Sequence, residues 1–217
     1  MITLGIDEAG RGPMLGPMVM AGVTVTAESL QKLENIGVKD SKLLTPLQRE
    51  RMFEQVKEIV EDYKIIIVPP KEIDDAVHGK NGLNLNWLEA VKSVEIINSL
   101  KADEAILDCP STNVKAFNDY IKERLKVDTK VRAEHKADLN YTVVGAASIL
   151  AKVTRDLEIQ KIKQELREDV GSGYPADPKT KHFLLKCWNT YPNVFRKSWK
   201  SYQKVANEKT QKGLGDF

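Results

Sequence analysis

Apolar positions recur along the chain with two periods, and their alternation predicts an α/β domain. A short apolar run at residues 2–6 predicts a first strand. It ends in two adjacent carboxylates, Asp7 and Glu8, and a loop with Gly10, Gly12, Pro13, Gly16 and Pro17 follows at once. Val19 to Val25 predicts a second strand paired with the first. Glu28–Ile36 predicts a short helix. Thr45 then N-caps a helix that opens on Pro46 and runs to about Glu61, with Met52, Phe53, Val56, Ile59 and Val60 at helical spacing. Tyr63–Val68 predicts a strand stopped by Pro69-Pro70, and Lys71–Val77 a short helix. Asn84–Leu100 predicts a longer helix with Leu88, Val91, Val94, Ile96 and Ile97 inward.

The second half continues the alternation. Glu104–Asp108 predicts a strand ending in a carboxylate, Val114–Leu125 a helix, and Lys130–Glu134 a strand with Asp138 just beyond its end. Tyr141 to about Leu166 predicts the longest helix, with a buried stripe of Val144, Ala147, Ile149, Leu150, Val153, Leu157, Ile162 and Leu166. Gly171-Ser172-Gly173-Tyr174-Pro175 breaks it. A short helix, a Pro192 break and a last helix to about Asn207 complete the chain. Strands first, then strands alternating with helices, predict a central mixed sheet flanked by helices, with a helical C-terminal extension.

Composition narrows the class. Of the 217 residues, 41% are hydrophobic and 29% charged, enough apolar residues for a core in a soluble protein. No run of 18 apolar residues is present, and Met1 leads straight into strand-like sequence, so a membrane span and a signal peptide are not expected and a cytoplasmic location is. Cys109 and Cys187 have no CxxC spacing and no clustered histidines, which argues against a zinc site or a disulfide framework. The net charge of +2 conceals an asymmetry. Lys179 to Lys212 holds nine basic residues against one acid, while residues 1–178 hold 24 basic and 29 acidic side chains. An acidic body with a basic end points to a polyanion held beside a carboxylate site.

Three predicted strand ends carry acids: Asp7 with Glu8, Asp108, and Asp138 just after a strand. Ligand sites of open α/β sheets collect at strand ends. Converging carboxylates repel one another unless divalent cations occupy the cluster, and all-oxygen ligation favours Mg²⁺ or Mn²⁺. Two such ions clamp the attacking and leaving oxygens of a phosphodiester. Taken singly, Asp108 and Asp138 read as loop-capping residues.

Specific motifs sharpen this. Gly5-Ile6-Asp7-Glu8-Ala9-Gly10-Arg11-Gly12-Pro13 with Gly16-Pro17 resembles the signature of the type 2 ribonuclease H (ribonuclease HII) family. Asp40-Ser41-Lys42, Lys136-Ala137-Asp138, the run Ala146 to Asp156, and Gly171-Ser172-Gly173-Tyr174-Pro175 match it in the same order. The resemblance covers roughly residues 2–205 and looks archaeal. It implies a ribonuclease H-like fold and an acidic quartet of Asp7, Glu8, Asp108 and Asp138 holding two Mg²⁺ or Mn²⁺ ions. Asp108 matches by strand context more than by motif. The implied activity is endonucleolytic cleavage of RNA in RNA–DNA hybrids, including 5′ of single ribonucleotides in duplex DNA, leaving 3′-hydroxyl and 5′-phosphate ends. Gly10, Arg11 and Gly12 would contact the ribose, whose 2′-hydroxyl both donates and accepts. Tyr174 would stack on the neighbouring deoxyribose. Lys42 would meet a phosphate, and Lys152 and Arg155 would bind substrate or pair with the acids. His135 reads as non-catalytic, because a two-metal scheme needs no imidazole.

The resemblance divides the chain into a catalytic domain at 1–177, a basic helical extension at 178–208 and a tail at 209–217. The extension interleaves its lysines, which are the expected DNA contacts, with Phe183, Trp188, Tyr191, Phe195, Trp199 and Tyr202, read mainly as helix-packing core. In the tail, Gln211, Leu214 and Phe217 resemble the motif by which replication enzymes bind the sliding clamp, with its second aromatic missing. A monomer is expected. The competing class is a non-catalytic hybrid-binding or clamp-associated protein on the same fold, against which the retained acids argue. A phosphate-binding loop at Gly10–Gly16 fails for want of a Gly-Lys-Ser/Thr ending.

Overall fold

The computed structural model describes residues 1–38 and 45–212. Five strands form one sheet in the order β3-β2-β1-β4-β5: β1 Thr3–Ala9, β2 Met18–Val25, β3 Asp62–Val68, β4 Glu104–Asp108 and β5 Lys130–Glu134. β1 runs antiparallel to β2 and parallel to β4, and β4 runs parallel to β5, so the sheet is mixed as expected. The helices are α1 Ala27–Asn35, α2 Pro46–Ile59, α3 Pro70–Val77, α4 Leu85–Leu100, α5 Val114–Lys122, α6 Ala137–Asn140, α7 Thr142–Leu166, α8 Pro178–Cys187 and α9 Lys200–Lys212. α2 starts as its sequence dictates: Thr45 accepts from the Gln48 backbone N–H, and the Gln48 side chain accepts from the Thr45 N–H.

The chain divides into two compact units. The first comprises Met1–Ala9, Val19–Ile67 and Leu85–Thr154; the second comprises Gly10–Met18, Val68–Asn84 and Arg155–Phe217. Sequence order hides this, because the second unit is assembled from three separated stretches.

In the first unit, side-chain parity decides what covers each face of the sheet. Residues two apart on a strand share a face. A Cβ on Gly5 would strike the Val143 backbone, whereas one on Gly22 would strike Ile96 and lie 3.2 Å from Leu4. α7 therefore packs on the face of Gly5, and α4 on the face of Leu4, Ile6 and Gly22. Val19, Ala21, Val23, Val144, Ala147 and Leu150 fill the core beneath α7. On α4 the buried positions are Leu88, Glu89, Ala90, Ser93, Ile96 and Ile97; Val91 and Val94, expected inward, are half-buried. On α7 the expected stripe is buried from Val144 to Val153, Ile162 and Leu166 are half-buried, and Leu157 is 41% exposed. It lies beyond the stretch that packs on the sheet.

The second unit has its own core of Met14, Leu15, Ile159, Val170, Phe183, Leu184, Phe195, Tyr202 and Val205, with Trp188, Tyr191 and Trp199 packed against it. The aromatics of the extension are thus mainly core, as expected. Phe183 stacks on Phe195 at 5.4 Å between ring centroids and on Tyr191 at 6.2 Å. No helix among the described residues is long and apolar enough to cross a membrane.

Candidate active site

The acids are brought together in the first unit by strand register. β1 pairs with β4 up to Ile6 opposite Leu107, so Asp7 and Asp108 each stand one step beyond the last pair. Parity sends Asp7 to the α7 face with Gly5, and Glu8 to the opposite face. α7 and β1 keep step. From Gly5 to Asp7 the strand rises about 6.6 Å, and from Val143 to Ser148 the helix rises about 7.5 Å. Ser148 accordingly hydrogen-bonds the Asp7 carboxylate.

Each of Asp7, Glu8 and Asp108 offers an oxygen, and these atoms all lie within 4.8 Å of one another. Asp7 is 7% exposed, and its pKa is raised well above the ordinary value. Burial is the main cause, followed by the charge of Glu8; the Ser148 bond opposes them, and Asp108 adds a smaller push upward. Burial also raises Asp108, and the Asp138 charge adds to it. The Ala137 N–H donates to Asp108 Oδ1 at 2.8 Å and works the other way. Asp138 lies in α6, whose start is set by Lys136 in the left-handed conformation (φ 60°). It is not among the acids whose oxygens lie within 4.8 Å of one another, and it acts on Asp108 through its charge. An all-oxygen, mutually repelling set with two raised pKa values fits a hard divalent cation.

His135 Nδ1 donates to the Cys109 carbonyl at 3.0 Å. The Cys109 thiol is buried and donates to the Ser111 carbonyl at 3.5 Å, and burial pushes its pKa up. Both cysteines are free. Lys152 is half-buried on α7.

In the second unit, Gly10, Arg11, Gly12, Arg155 and Tyr174 come together. Gly10 has φ +80°, and a Cβ there would lie 3.0 Å from the Pro17 carbonyl oxygen and 3.1 Å from Arg155 Cγ. Only glycine turns the chain so tightly at that spot. Gly12 is exposed, and its missing Cβ would lie 3.9 Å from the Tyr174 ring. Tyr174 is 39% exposed and covers the Arg155 guanidinium at 5.3 Å from the ring centroid. Arg155 itself is only 2% exposed, and its Nη2 donates to the Ser172 carbonyl at 2.5 Å. Of the two expectations for Arg155, substrate contact or pairing with an acid, this structure shows the second type of contact: it lies buried beside the Tyr174 ring and meets Asp156 at 3.4 Å. Lys42, Leu214 and Phe217 lie outside the described residues, as does the side chain of Gln211.

Three residues that shape these groups escaped the sequence reading. Ser148 lies inside the Ala146–Asp156 motif, and its signal is a lone polar position in an apolar helical stripe. Asp177 N-caps α8 and accepts from the Ser172 N–H at 2.6 Å and the Lys179 N–H at 2.9 Å, holding the Gly171–Tyr174 loop. Arg196, one of the nine basic residues of the C-terminal end, is wholly buried. Several lysines of the basic end have acidic neighbours: Lys179 meets Asp169 at 2.7 Å and Lys186 meets Glu168 at 2.6 Å.

Comparison with known proteins agrees with this geometry. The family model for ribonuclease HII matches residues 4–202. The chain is 48% identical to a ribonuclease HII of Pyrococcus furiosus, over 98% of this chain and 96% of that protein. It superposes on the crystal structure of the ribonuclease H2 from Pyrococcus horikoshii with TM-score 0.88 and 44% identity, covering 96% of this chain and 98% of that one. The PCNA:RNase HII complex from Archaeoglobus fulgidus matches with TM-score 0.83 and 36% identity, covering 92% and 96%. The chain belongs to the ribonuclease HII family.

Proposed function

We infer that this protein is an endoribonuclease that hydrolyses the RNA strand of RNA–DNA hybrids and cuts 5′ of single ribonucleotides in duplex DNA. The observation that carries the reading is the convergence of Asp7, Glu8 and Asp108 within 4.8 Å at the adjoining ends of β1 and β4. Asp7, Glu8, Asp108 and Asp138 would hold two Mg²⁺ or Mn²⁺ ions. A divalent cation there supplies Lewis acidity at the scissile phosphate and lowers the pKa of water. The chain's own contribution is orientation. Ser148 fixes one carboxylate and the Ala137 N–H another, so ligand oxygens are in place before substrate arrives.

Gly10, Arg11 and Gly12 read the ribose, and Tyr174 offers its exposed ring to the adjoining sugar. Glu8 and Gly10 are two residues apart in the chain, so the group that finds the 2′-hydroxyl is tethered closely to the groups that cut. Lys42 and Lys152 serve phosphate. Through Gln211, Leu214 and Phe217 the tail takes a sliding clamp as partner; the Archaeoglobus relative, solved as a complex with PCNA, supports this.

The test uses a DNA duplex bearing one ribonucleotide. With Mg²⁺ or Mn²⁺ the protein yields a 3′-hydroxyl on the upstream fragment and a 5′-phosphate on the ribonucleotide, and chelator stops the reaction. Cleavage that persists in chelator, or falls 3′ of the ribonucleotide, would contradict it.

A further inference from the structure

The largest fully buried side chain among the described residues is a charged one, Arg196, with no exposed surface. Burial, reinforced by the like charge of Arg155, pulls its pKa down to about 9. A buried guanidinium is costly and needs a compensating set of acceptors. Here the acceptors are backbone carbonyls. Arg196 Nη2 donates to the Gly10 carbonyl at 2.5 Å, Nη1 to that of Arg11 at 2.7 Å and Nε to that of Gly16 at 3.0 Å. Trp199 Nε1 donates to the Gly12 carbonyl at 3.1 Å, and its ring covers the Arg196 guanidinium at 5.0 Å. The carbonyls of residues 10, 11 and 12 are thus all held by the side chains of Arg196 and Trp199.

This segment is itself anchored. Asp74 on α3 accepts from the Lys197 N–H at 2.8 Å, the Ser198 N–H at 2.9 Å and the Ser198 hydroxyl at 2.5 Å. The Arg196 N–H donates to the Met14 carbonyl at 3.0 Å. A rigid helix therefore fixes a turn, the turn aims a planar fork, and the fork sets the peptide planes of a glycine loop. Guanidinium suits the task because its N–H groups keep a fixed geometry, whereas an ammonium is a single point.

We infer that Arg196 and Trp199 are the positioning residues of the Gly10–Gly12 loop, and that they set the ability to find a lone 2′-hydroxyl in duplex DNA. The inference rests on the reading of that loop as the ribose reader. Its consequence is a selective one. An uninterrupted hybrid presents a 2′-hydroxyl at every step, so a displaced loop meets one in a neighbouring register. A single embedded ribonucleotide presents one, and a displaced loop misses it.

The experiment measures kcat/KM on a single-ribonucleotide duplex and on an uninterrupted hybrid, for wild type, Arg196→Lys and Trp199→Phe, each checked by thermal melting. Arg196→Lys keeps the charge but loses the fork, and the single-to-hybrid ratio falls on the order of 100-fold. Trp199→Phe keeps the ring and deletes one N–H donor, and the ratio falls about fivefold. A Lys variant with the wild-type ratio, or variants that lose both activities equally while still folded, would overturn the inference. If Arg196→Lys fails to fold, Trp199→Phe decides alone, and an unchanged ratio there overturns it. A wild-type protein that cuts neither substrate would instead overturn the proposed function.

Discussion

Removing one acid from the cluster should make the metal-free protein more stable while destroying its chemistry. Asp7 is the informative position, being buried with its pKa raised. The sign follows from linkage. A carboxyl whose folded pKa lies above its unfolded value penalises the fold once ionised, so the penalty is absent at low pH and grows as pH rises through the raised pKa. Two unit charges separated by the 4.8 Å limit of the cluster repel by about 3.5 kcal/mol at an effective dielectric of about 20. Glu8 and Asp108 are half-buried and partly screened by water, which brings the relief from Asp7→Asn to about 1–3 kcal/mol. For a chain of this size that raises Tm by about 2–12 °C. The assay is thermal melting in chelator at pH 8 and at pH 4, then with Mn²⁺. Asp7→Asn should melt higher than wild type at pH 8, lose most of that advantage at pH 4, and gain less than wild type from Mn²⁺. A variant that melts lower at pH 8, or that Mn²⁺ stabilises as much as wild type, would refute the reasoning.

Two further outcomes follow from other parts of the molecule. The Asp177 pKa is lowered to about 2, chiefly by its hydrogen bonds to Ser172. The stabilisation it confers is present above the unfolded value near 4 and lost as pH falls towards 2. Asp177→Ala should therefore cost about 1 kcal/mol near neutrality in denaturant titration and flatten the acid limb of the stability curve. An unaltered acid limb would show that the cap does not titrate. Deleting residues 211–217 should weaken clamp binding in a titration by at least about tenfold, or about 1.4 kcal/mol. Equal affinity with and without the tail would remove that assignment.

What could be read from the sequence depended on how local the determinants were. Asp7 and Glu8 were legible because a strand period ends on them and a turn-forming glycine, Gly10, follows. The mixed sheet was legible from the order of strand and helix periods. Asp108 is marked in the sequence by strand context rather than by a motif, and the parallel pairing of β1 with β4 places it one step beyond Leu107, level with Asp7. Long-range pairing of that kind leaves no mark in local spacing. Arg196 misled for a different reason. An arginine in a basic segment reads as surface, and nothing nearby reveals that its acceptors are the carbonyls of Gly10, Arg11 and Gly16. The second unit stayed hidden likewise, because Gly10–Met18 and Val68–Asn84 join Arg155–Phe217 only in three dimensions. The interleaved aromatics of 183–202 were the exception: they read as core from their apolar bulk, and they form one, although only Phe183 and Tyr202 of the six lie in helices.

The central claim is that the clustered acids perform metal-dependent hydrolysis at a ribonucleotide. Single-turnover cleavage of a duplex with one ribonucleotide, by wild type and Asp7→Asn, with duplex binding measured in parallel, tests it most directly. The account predicts cleavage by wild type only with divalent metal, and no cleavage but near-wild-type binding by Asp7→Asn. An Asp7→Asn protein that still cuts at the wild-type rate would contradict it.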